Sequence, residues 1–457
     1  MRFKEEINES YTMAEAIKEA QRCLQCKVPL CKKGCPISND IPDWIHELKK
    51  GNMGNAISII RAKSNLPAVC GRVCAHEKQC EGACVLGKKG AAVNIGKLER
   101  FVADFDSDNE LTHEDIVEKS RGKVAVIGAG PSGITVAGDL SRMGFAVEMF
   151  EMEAQCGGVL RYGIPEYRLP KEVVAREIRY IEKMGVVIHR NTHVGVEITV
   201  DSLFAQGFDA VFIGTGLGKP RSLEIPVWQD GRCISEGENA VRCADLTGIR
   251  FAIHFLRRVE LIAEGFMSPD ETHVHKGSRV WIIGGGNTAM DASRTALRIG
   301  AERVDVIFNE GIDTMSALRA EYDDAVKEGV HFNWWASIKA IHVDSQLAIK
   351  EIELETAEPG KSPQVQTLPA DNIIMAIGAT PNTKIVRTTS GLKNDERKFL
   401  ITRDLPYGMT TRKGVFAGGD VANRQATVVH AMQDAKKVAM GIAQYVDAVK
   451  LMKAINM

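Results

Sequence analysis

The stretch Lys123 to Glu151, KVAVIGAGPSGITVAGDLSRMGFAVEMFE, decides how the rest of the chain is read. Its apolar run Val124 to Ile127 has the continuous hydrophobicity of a central parallel strand. A glycine turn follows, Gly128-x-Gly130-x-x-Gly133, then an alanine- and glycine-bearing helix, then a second strand that ends at Glu151. Gly128 permits the turn, Gly130 lets backbone approach a pyrophosphate, and Gly133 lets the helix lie on its strand, while the helix N-terminus offers free N–H groups to phosphate. An acid about twenty residues on suits the two ribose hydroxyls of an adenosine. The glycine spacing alone is a weak signal; strand, helix and terminal acid in register predict a dinucleotide-binding unit.

The arrangement recurs. Val280 to Ile283 reads as a strand, Gly284-x-Gly286-x-x-Ala289 opens a helix through Asp291 to Arg298, and Val304 to Phe308 is the next strand. Each unit closes on an apolar strand ending in glycine, AVFIGTG (Ala210 to Gly216) in the first and NIIMAIG (Asn372 to Gly378) in the second. Two nested units imply two dinucleotides, most economically a flavin and a nicotinamide; the bland alternative is a duplication kept only for structure. Gly157 to Pro165, GGVLRYGIP, has small residues that suit backbone laid against a flat ring or pyrophosphate, and Val173 to Met184 is an amphipathic helix. Near the end, VFAGGD (Val415 to Asp420) runs a strand into a glycine pair and an acid, and completes the first unit. Asp420 is placed to bond a ribityl hydroxyl or, through neighbouring N–H groups, to hold pyrophosphate. Thr427 to Val438 is expected to be a helix whose positive N-terminal end favours an anionic reduced flavin.

Residues 1 to about 120 read as helical, with Thr12 and Glu15 spaced as a capping box and further helices at Trp44 to Lys50 and Asn55 to Ala62. Eight of the eleven cysteines crowd between Cys23 and Cys84, as Cys23-x2-Cys26-x4-Cys31-x3-Cys35-Pro36 and Cys70-x3-Cys74-x5-Cys80-x3-Cys84. Short spacings around a turn bring several thiolates to one cubane, and a terminal Cys-Pro is the pattern in which the last cysteine crosses to a second cluster. Eight thiols would supply two [4Fe-4S] clusters. Zinc sites prefer two close pairs far apart, and disulfides fit poorly in a large chain with dinucleotide motifs and no signal peptide. Ser107 to Arg121 turns polar and acidic, as a linker would.

With 58 basic and 59 acidic side chains the net charge is −1, which gives no argument for nucleic acid. No run of about eighteen apolar residues exists, and the opening MRFKEEINES lacks an apolar core. The expectation is a soluble cytoplasmic protein with no membrane partner.

Together CLQC…C…CP, CGRVC…CEGAC, VAVIGAGPSG, GGVLRYGIPEYRLP, IIGGGNTAMD and VFAGGD span nearly all of the chain, which resembles the family of the glutamate synthase small subunit. It is similar also to the N-terminal half of dihydropyrimidine dehydrogenase and to the large subunit of NADH-dependent ferredoxin:NADP oxidoreductase. The resemblance implies an α/β fold of two nested Rossmann-like dinucleotide-binding domains preceded by an all-helical iron–sulfur domain. The boundaries expected are 1–120 for two [4Fe-4S] clusters, 121–250 and 379–457 for FAD, and 251–378 for NAD(P). FAD contacts are expected from Gly128, Gly130, Pro131, Ser132, Gly133, Glu151, Gly158, Leu160, Arg168, Thr215, Gly216, Gly419, Asp420, Thr427 and Val428. For the nicotinamide dinucleotide the residues are Gly284, Gly286, Asn287, Thr288, Ala289, Asn309, Glu310, Arg319 and Gly378. In the family the cluster ligands interleave, so Cys23, Cys26, Cys31 and Cys84 would hold one cluster and Cys35, Cys74 and Cys80 the other. The remaining ligand in relatives is often Gln or Glu, which here favours Glu99, with Cys70 the alternative.

The chain departs from NADPH-using relatives at one point. They carry an arginine pair directly after the strand matching Val304 to Phe308, where guanidinium binds a 2′-phosphate; here Asn309 and Glu310 stand there. A carboxylate repels phosphate and suits a free 2′-hydroxyl, so NADH is preferred, although Arg319 offers a substitute cation.

These parts imply an electron-transfer flavoprotein in which a nicotinamide gives hydride to flavin N5 and electrons leave singly through the clusters, with no catalytic side chain. No further organic-substrate site is apparent, so a larger partner subunit, or ferredoxin, is the expected exchange partner; glutamate synthesis, pyrimidine reduction and ferredoxin–nucleotide exchange, with or without bifurcation, all fit. Alternatives are a conducting scaffold without nicotinamide turnover, and a disulfide reductase, which would need a cysteine pair beside the flavin where Cys156 stands alone. Trp334 and Trp335 read as strand packing, His430 as a packed histidine, Cys233 and Cys243 as ordinary thiols, and His76 as solvated.

Overall fold

A computed structural model describes residues 6, 7, 9–112, 116–237 and 240–455. The chain divides into two compact units, one made of Glu6–Arg161, Arg168–Gly218 and the chain from Thr380 onward, the other of Tyr162–Tyr167 and Lys219–Ala379. Among the described residues no helix is long and apolar enough to cross a membrane.

The first unit opens with helices alone. Met13–Gln21 begins at a capping box in which Thr12 Oγ1 accepts from Glu15 N–H at 3.3 Å and Glu15 accepts from Thr12 N–H at 2.8 Å. Ile41–Lys49 buries Ile41, Trp44, Ile45 and Leu48, the i, i+3, i+4, i+7 stripe of an amphipathic helix, and Met53–Arg61 buries Ala56, Ile57 and Ile60 opposite. The polar stretch from Ser107 is helix at first, since Ile95–Asn109 runs on into it before the chain loosens. The reason is Asp106, which is buried and accepts from the backbone N–H and hydroxyl of Thr112.

Behind these helices stands a seven-stranded sheet in the order Thr402–Asp404, Tyr407–Thr410, Val415–Ala417, Ala210–Ile213, Gly122–Ile127, Phe145–Phe150, Val187–His189. The last five are parallel, with Ile127 opposite both Phe150 and Ile213 and Phe212 opposite Phe416. Their central residues are buried on both faces, as parallel strands covered by helices must be. The C-terminal helix, expected to stop at Val438, extends from Val428 to Ile455, because Ala439, Ile442, Ala443 and Val446 continue its buried stripe.

The second unit has a five-stranded parallel sheet, His331–Trp334, Arg303–Phe308, Arg279–Ile283, Asn372–Met375, Ile249–Phe251. A second sheet, Gln364–Pro369, Ile349–Thr356, Ala336–Val343, Val227–Gln229, Arg232–Cys233, covers one face of it. Val227, Ile341 and Ile352 of that sheet share a buried core with Trp281, Ile373 and Met375. Residues 219–250, expected with the flavin segment, therefore lie in this unit, where the strands Val227–Gln229, Arg232–Cys233 and Ile249–Phe251 pair into its sheets.

Within the first unit a buried ionic knot ties the thiol-bearing helices to the helix Lys171–Lys183. Arg61 bonds Asp106 at 3.2 Å and Glu177 at 3.2 Å and lies 3.8 Å from the centre of the Tyr180 ring, while Glu177 also accepts from Ala68 N–H at 2.9 Å. Burial alone would lower the pKa of Arg61; Glu177, Tyr180 and Asp106 outweigh it and hold it above the ordinary arginine value. Removing one partner leaves carboxylates buried and unpaired, so Arg61→Ala should destabilise this unit by about 3–5 kcal/mol, read from its denaturant midpoint. A loss below about 1 kcal/mol would show that the pair behaves as a surface one.

Candidate functional site

The glycine turns of the first unit converge on the N-terminus of the Pro131–Arg142 helix. Gly128 has φ +96°, and a Cβ there would meet Gly214 O at 2.7 Å; one at Gly133 would stand 1.9 Å from Gly128 O. Gly158, with φ +54°, faces Gly130 so closely that a Cβ on it would touch Gly130 Cα at 3.0 Å, and Gly157 N–H donates to Ala129 O at 2.9 Å. Ser132, buried under these loops, closes the group: Cβ atoms added at Gly214 or Gly419 would meet its side chain at 2.9 and 2.7 Å. The result is a cradle of bare backbone at a helix N-terminus, where unsatisfied N–H groups attract phosphate. That is the surface a flavin dinucleotide requires.

Around the cradle, Glu151 is buried and accepts from Ala129 N–H at 2.7 Å and Glu153 N–H at 3.0 Å; burial raises its pKa and those bonds oppose the rise. Leu160 is wholly buried, Arg168 nearly so, and Thr215 is exposed beside Gly216. Asp420 has its carboxyl pushed up to about 6 by burial alone. Thr427 caps the helix that Val428 begins, and its hydroxyl sits 2.6 Å from His430 Nδ1. One participant was not read from sequence. Asp434, buried, accepts from Gly419 N–H at 2.8 Å and from Tyr407 O–H at 2.7 Å, and so fixes the glycine pair. The available signal was an acid on the apolar face of HAMQDAKKVAM.

The second unit repeats the turn. Gly284 has φ +136° and a Cβ on it would meet Ala376 O at 2.5 Å, while Gly286 stands at the N-terminus of Asn287–Ile299. Asn287 Oδ1 accepts from Leu318 N–H at 2.8 Å, Thr288 is exposed in the first turn and Ala289 is buried against the strand. Asn309 and Glu310 are exposed after Phe308, and Gly378 is open with φ +92°. Arg319 bonds Asp323 at 2.9 Å and lies over Tyr322, which already engages its charge. Trp334 belongs to an aromatic cluster with Phe308, Tyr322 and Phe332, and Trp335 lies against Gly311.

All eleven cysteines are free thiols. Cys23, Cys26, Cys31 and Cys84 line one apolar cavity with Leu30, Ile41, Pro42 and Ile45. Burial pushes the Cys31 thiol up to about 11, and the charges of Cys23, Cys84 and Cys26 add to it. A second group forms around Cys35, Cys74 and Cys80. Cys35 is pushed up to about 12, by burial and then by Glu99; Cys74 is raised by its hydrogen bond with Cys70 and by burial; Cys80 is raised by burial and then Glu99. Glu99, buried, is raised to about 8 by burial and by Glu177. Cys70, also buried, points its Sγ at Met432 Sδ, 3.7 Å away. Both Glu99 and Cys70 thus border the second group. Among the described residues no three such side chains converge as a single ion needs; thiolates that each hold a different corner of a cubane stand further apart.

His76 departs from expectation. Its ring, read as solvated, is enclosed against Gly96, where a Cβ would meet it at 2.3 Å, and burial pushes its pKa down to about 4. Cys156 is buried and raised to about 11 by burial. Neither Cys156, Cys233 nor Cys243 has a cysteine partner.

Residues 1–111 match the family model described as dihydropyrimidine dehydrogenase domain II, 4Fe-4S cluster, and residues 122–435 match pyridine nucleotide-disulphide oxidoreductase. The chain is 32% identical to the glutamate synthase [NADPH] small chain of Escherichia coli, over 97% of this chain and 94% of that one. It is 32% identical to the NAD-dependent dihydropyrimidine dehydrogenase subunit PreT of Escherichia coli, over 97% and 98% respectively. A solved thioredoxin reductase of Lactococcus lactis superposes with a TM-score of 0.51 at 21% identity, covering 72% of this chain and 99% of that one, which is a likeness of fold.

Asp420, only partly exposed, keeps its proton up to about pH 6, whereas unfolded it releases it near 3.8. Folding then binds more protons than unfolding, so the contribution is full below 3.8 and is lost as pH rises through about 6. Asp420→Asn should flatten that decline in unfolding free energy measured across this window; an unchanged slope would show the carboxyl is solvated.

Proposed function

Because the chain belongs to the family of the glutamate synthase small subunit, a family of NAD(P)H-dependent flavin and iron–sulfur oxidoreductases, we propose that it passes electrons between NADH, FAD, two [4Fe-4S] clusters and a larger partner subunit. The observation that supports this wiring is the helix that begins at Val428. Its residue Asp434 holds Gly419 in the flavin cradle, while Met432 touches Cys70 and Gln433 donates to Pro36 O at 2.7 Å, beside Cys35. One element therefore reaches from the flavin site to the second thiol group.

When bound, FAD takes hydride as an electron pair and the clusters take electrons one at a time. The chain's own residues bind and orient. Gly128, Gly130 and Gly133 expose the helix N–H groups to pyrophosphate, with Glu151 at the adenosine ribose. Gly284 and Gly286 do the same for the nicotinamide dinucleotide, and Glu310 disfavours a 2′-phosphate. Cys23, Cys26, Cys31 and Cys84 hold one cluster; Cys35, Cys74, Cys80 and Glu99 hold the other, with Cys70 as its buried neighbour. Thiols raised by burial must lose protons on cluster assembly, so insertion is favoured by higher pH. The names of the relatives fit a subunit that exchanges electrons with a larger chain, as in glutamate synthase; ferredoxin exchange and bifurcation belong to the same reading.

Anaerobic titration of the native protein should bleach the flavin at lower NADH than NADPH. Asn309→Arg with Glu310→Arg should shift that preference toward NADPH by about tenfold or more, the worth of one charged hydrogen bond. A wild-type preference for NADPH would overturn the nicotinamide assignment.

Iron analysis addresses the ligands. Wild type should hold about eight irons per chain, Glu99→Ala about half of that, and Cys70→Ser the full complement. The reverse pattern would give the ligand role to Cys70.

A further inference from the structure

Several of this chain's enclosed arginines are matched by carboxylates. Arg61 has Asp106 and Glu177, Arg72 and Arg100 have Glu6 and Asp104, and Arg294 has Glu321, Asp324 and Glu328. Two arginines of the second unit have no such match. Arg250, on the strand Ile249–Phe251, and Arg258, on the helix Ala252–Ala263 that follows it, are both half-buried and enter no ion pair among the described residues. Each spends a guanidinium N–H on a backbone carbonyl: Arg250 donates to Ile249 O at 2.7 Å and Arg258 to Glu271 O at 3.1 Å. Arg250 Nε is enclosed and has no partner among the described residues. More cations gather on the same side. His273 follows Glu271 by two residues, and its pKa is lowered by burial and then by the charges of Arg250, Arg258 and His275. His254, one turn before Arg258, is lowered by burial and by Arg257 and Arg258, and Arg250 itself by burial and Arg258. Glu271 opposes the shift of His273, but its carboxylate is already taken by Ser268 N–H at 3.0 Å. Like charges held together partly out of water, with no counter-ion, cost stability that a bound anion would restore.

We propose that Arg250, Arg258 and His273 form a binding site for a doubly charged tetrahedral oxyanion, inorganic phosphate or a phosphate monoester, at the edge of the second unit's parallel sheet. Two guanidinium forks match the paired oxygens of a phosphate and balance its charge, and the imidazole N–H of His273 adds a further donor. A single carboxylate would neutralise only one of the two arginines. The site is separate from the nicotinamide turn. Ile249–Phe251 ends the strand order, three strands from Arg303–Phe308, which is about 14 Å at ordinary strand spacing. A 2′-phosphate beside Glu310 therefore lies outside the reach of these side chains. The inference stands apart from the electron-transfer reading and does not depend on it.

The test uses the purified holoprotein in phosphate-free buffer at fixed ionic strength, with excess NAD+ present. Inorganic phosphate, glycerol 3-phosphate and, as a singly charged control, acetate are titrated by calorimetry. Wild type should bind phosphate and glycerol 3-phosphate and should not bind acetate. Equal affinities would make the free ion a sufficient ligand; tighter binding of glycerol 3-phosphate would point to an esterified one. Arg250→Met keeps the apolar stem and drops one charge, and Arg258→Gln drops the other. Each should weaken phosphate binding about tenfold or more. Thermal unfolding gives a second readout that a merely structural arginine would not. Without anion, Arg250→Met should raise the unfolding midpoint by relieving the repulsion, whereas phosphate should raise the wild-type midpoint and leave that of the variant in place. The site is overturned by wild type that gives no heat with millimolar phosphate, or by phosphate that binds both variants as it binds wild type. Acetate that binds as well as phosphate, or an Arg250→Met midpoint that falls without anion, would overturn it too. FAD content and bleaching by NADH should be unchanged in Arg250→Met, so either result leaves the electron-transfer reading where it stands.

Discussion

Backbone must meet backbone with nothing between at the head of the Pro131–Arg142 helix, and the first unit depends on this. A single carbon at Gly133 would lie 1.9 Å from Gly128 O, well inside contact distance. The strand, turn and helix can therefore close only without side chains there. Closing leaves the first-turn N–H groups facing outward and unsatisfied, which makes the place attractive to an anion. Ser132 then links three separated pieces of chain, since Gly214 and Gly419 both fit only because they present no Cβ to it. Lys219–Ala379 interrupts this unit, and the unit's own strands still pair in parallel across the gap.

A second constraint is charge in the interior. Arg61, Asp106 and Glu177 are individually expensive to bury and acceptable only together. Their placement joins the thiol-bearing helices to the Lys171–Lys183 helix, and Glu177 also raises the pKa of Glu99. The apolar packing around Ile41, Pro42 and Ile45, beside which burial raises the Cys31 thiol, would also shelter a cluster from water.

The strands and glycine turns were legible because a buried parallel strand is a continuous apolar run and the turn has few substitutes for glycine. The antiparallel sheet of residues 336–369 was not. Strands such as Ile349–Thr356 alternate buried and exposed residues, with acids on the open face, and Val227–Gln229, the partner of Ala336–Val343, lies over a hundred residues earlier. That long-range pairing also draws residues 219–250 into the second unit. The length of the C-terminal helix was missed for a related reason: past Val438 its buried stripe mixes the small Ala439, Gly441 and Ala443 with only two large residues, Ile442 and Val446. His76 was read as solvated because nothing in its neighbours signals that Gly96, on a later helix, leaves a space for its ring.

By itself the sequence determined the class of the molecule: two dinucleotide turns, a helical front segment crowded with thiols, and the family they mark. These are local patterns, decided by which residues can adopt a turn, a strand or a short ligand spacing. Only the tertiary structure decided which distant groups meet. It set Cys84 beside Cys23, Cys26 and Cys31, put both Glu99 and Cys70 against Cys35, Cys74 and Cys80, and ran one helix from Gly419 to Cys70 through Asp434 and Met432. Such meetings depend on how whole helices stack to bury their apolar faces, and no stretch of sequence carries that information alone.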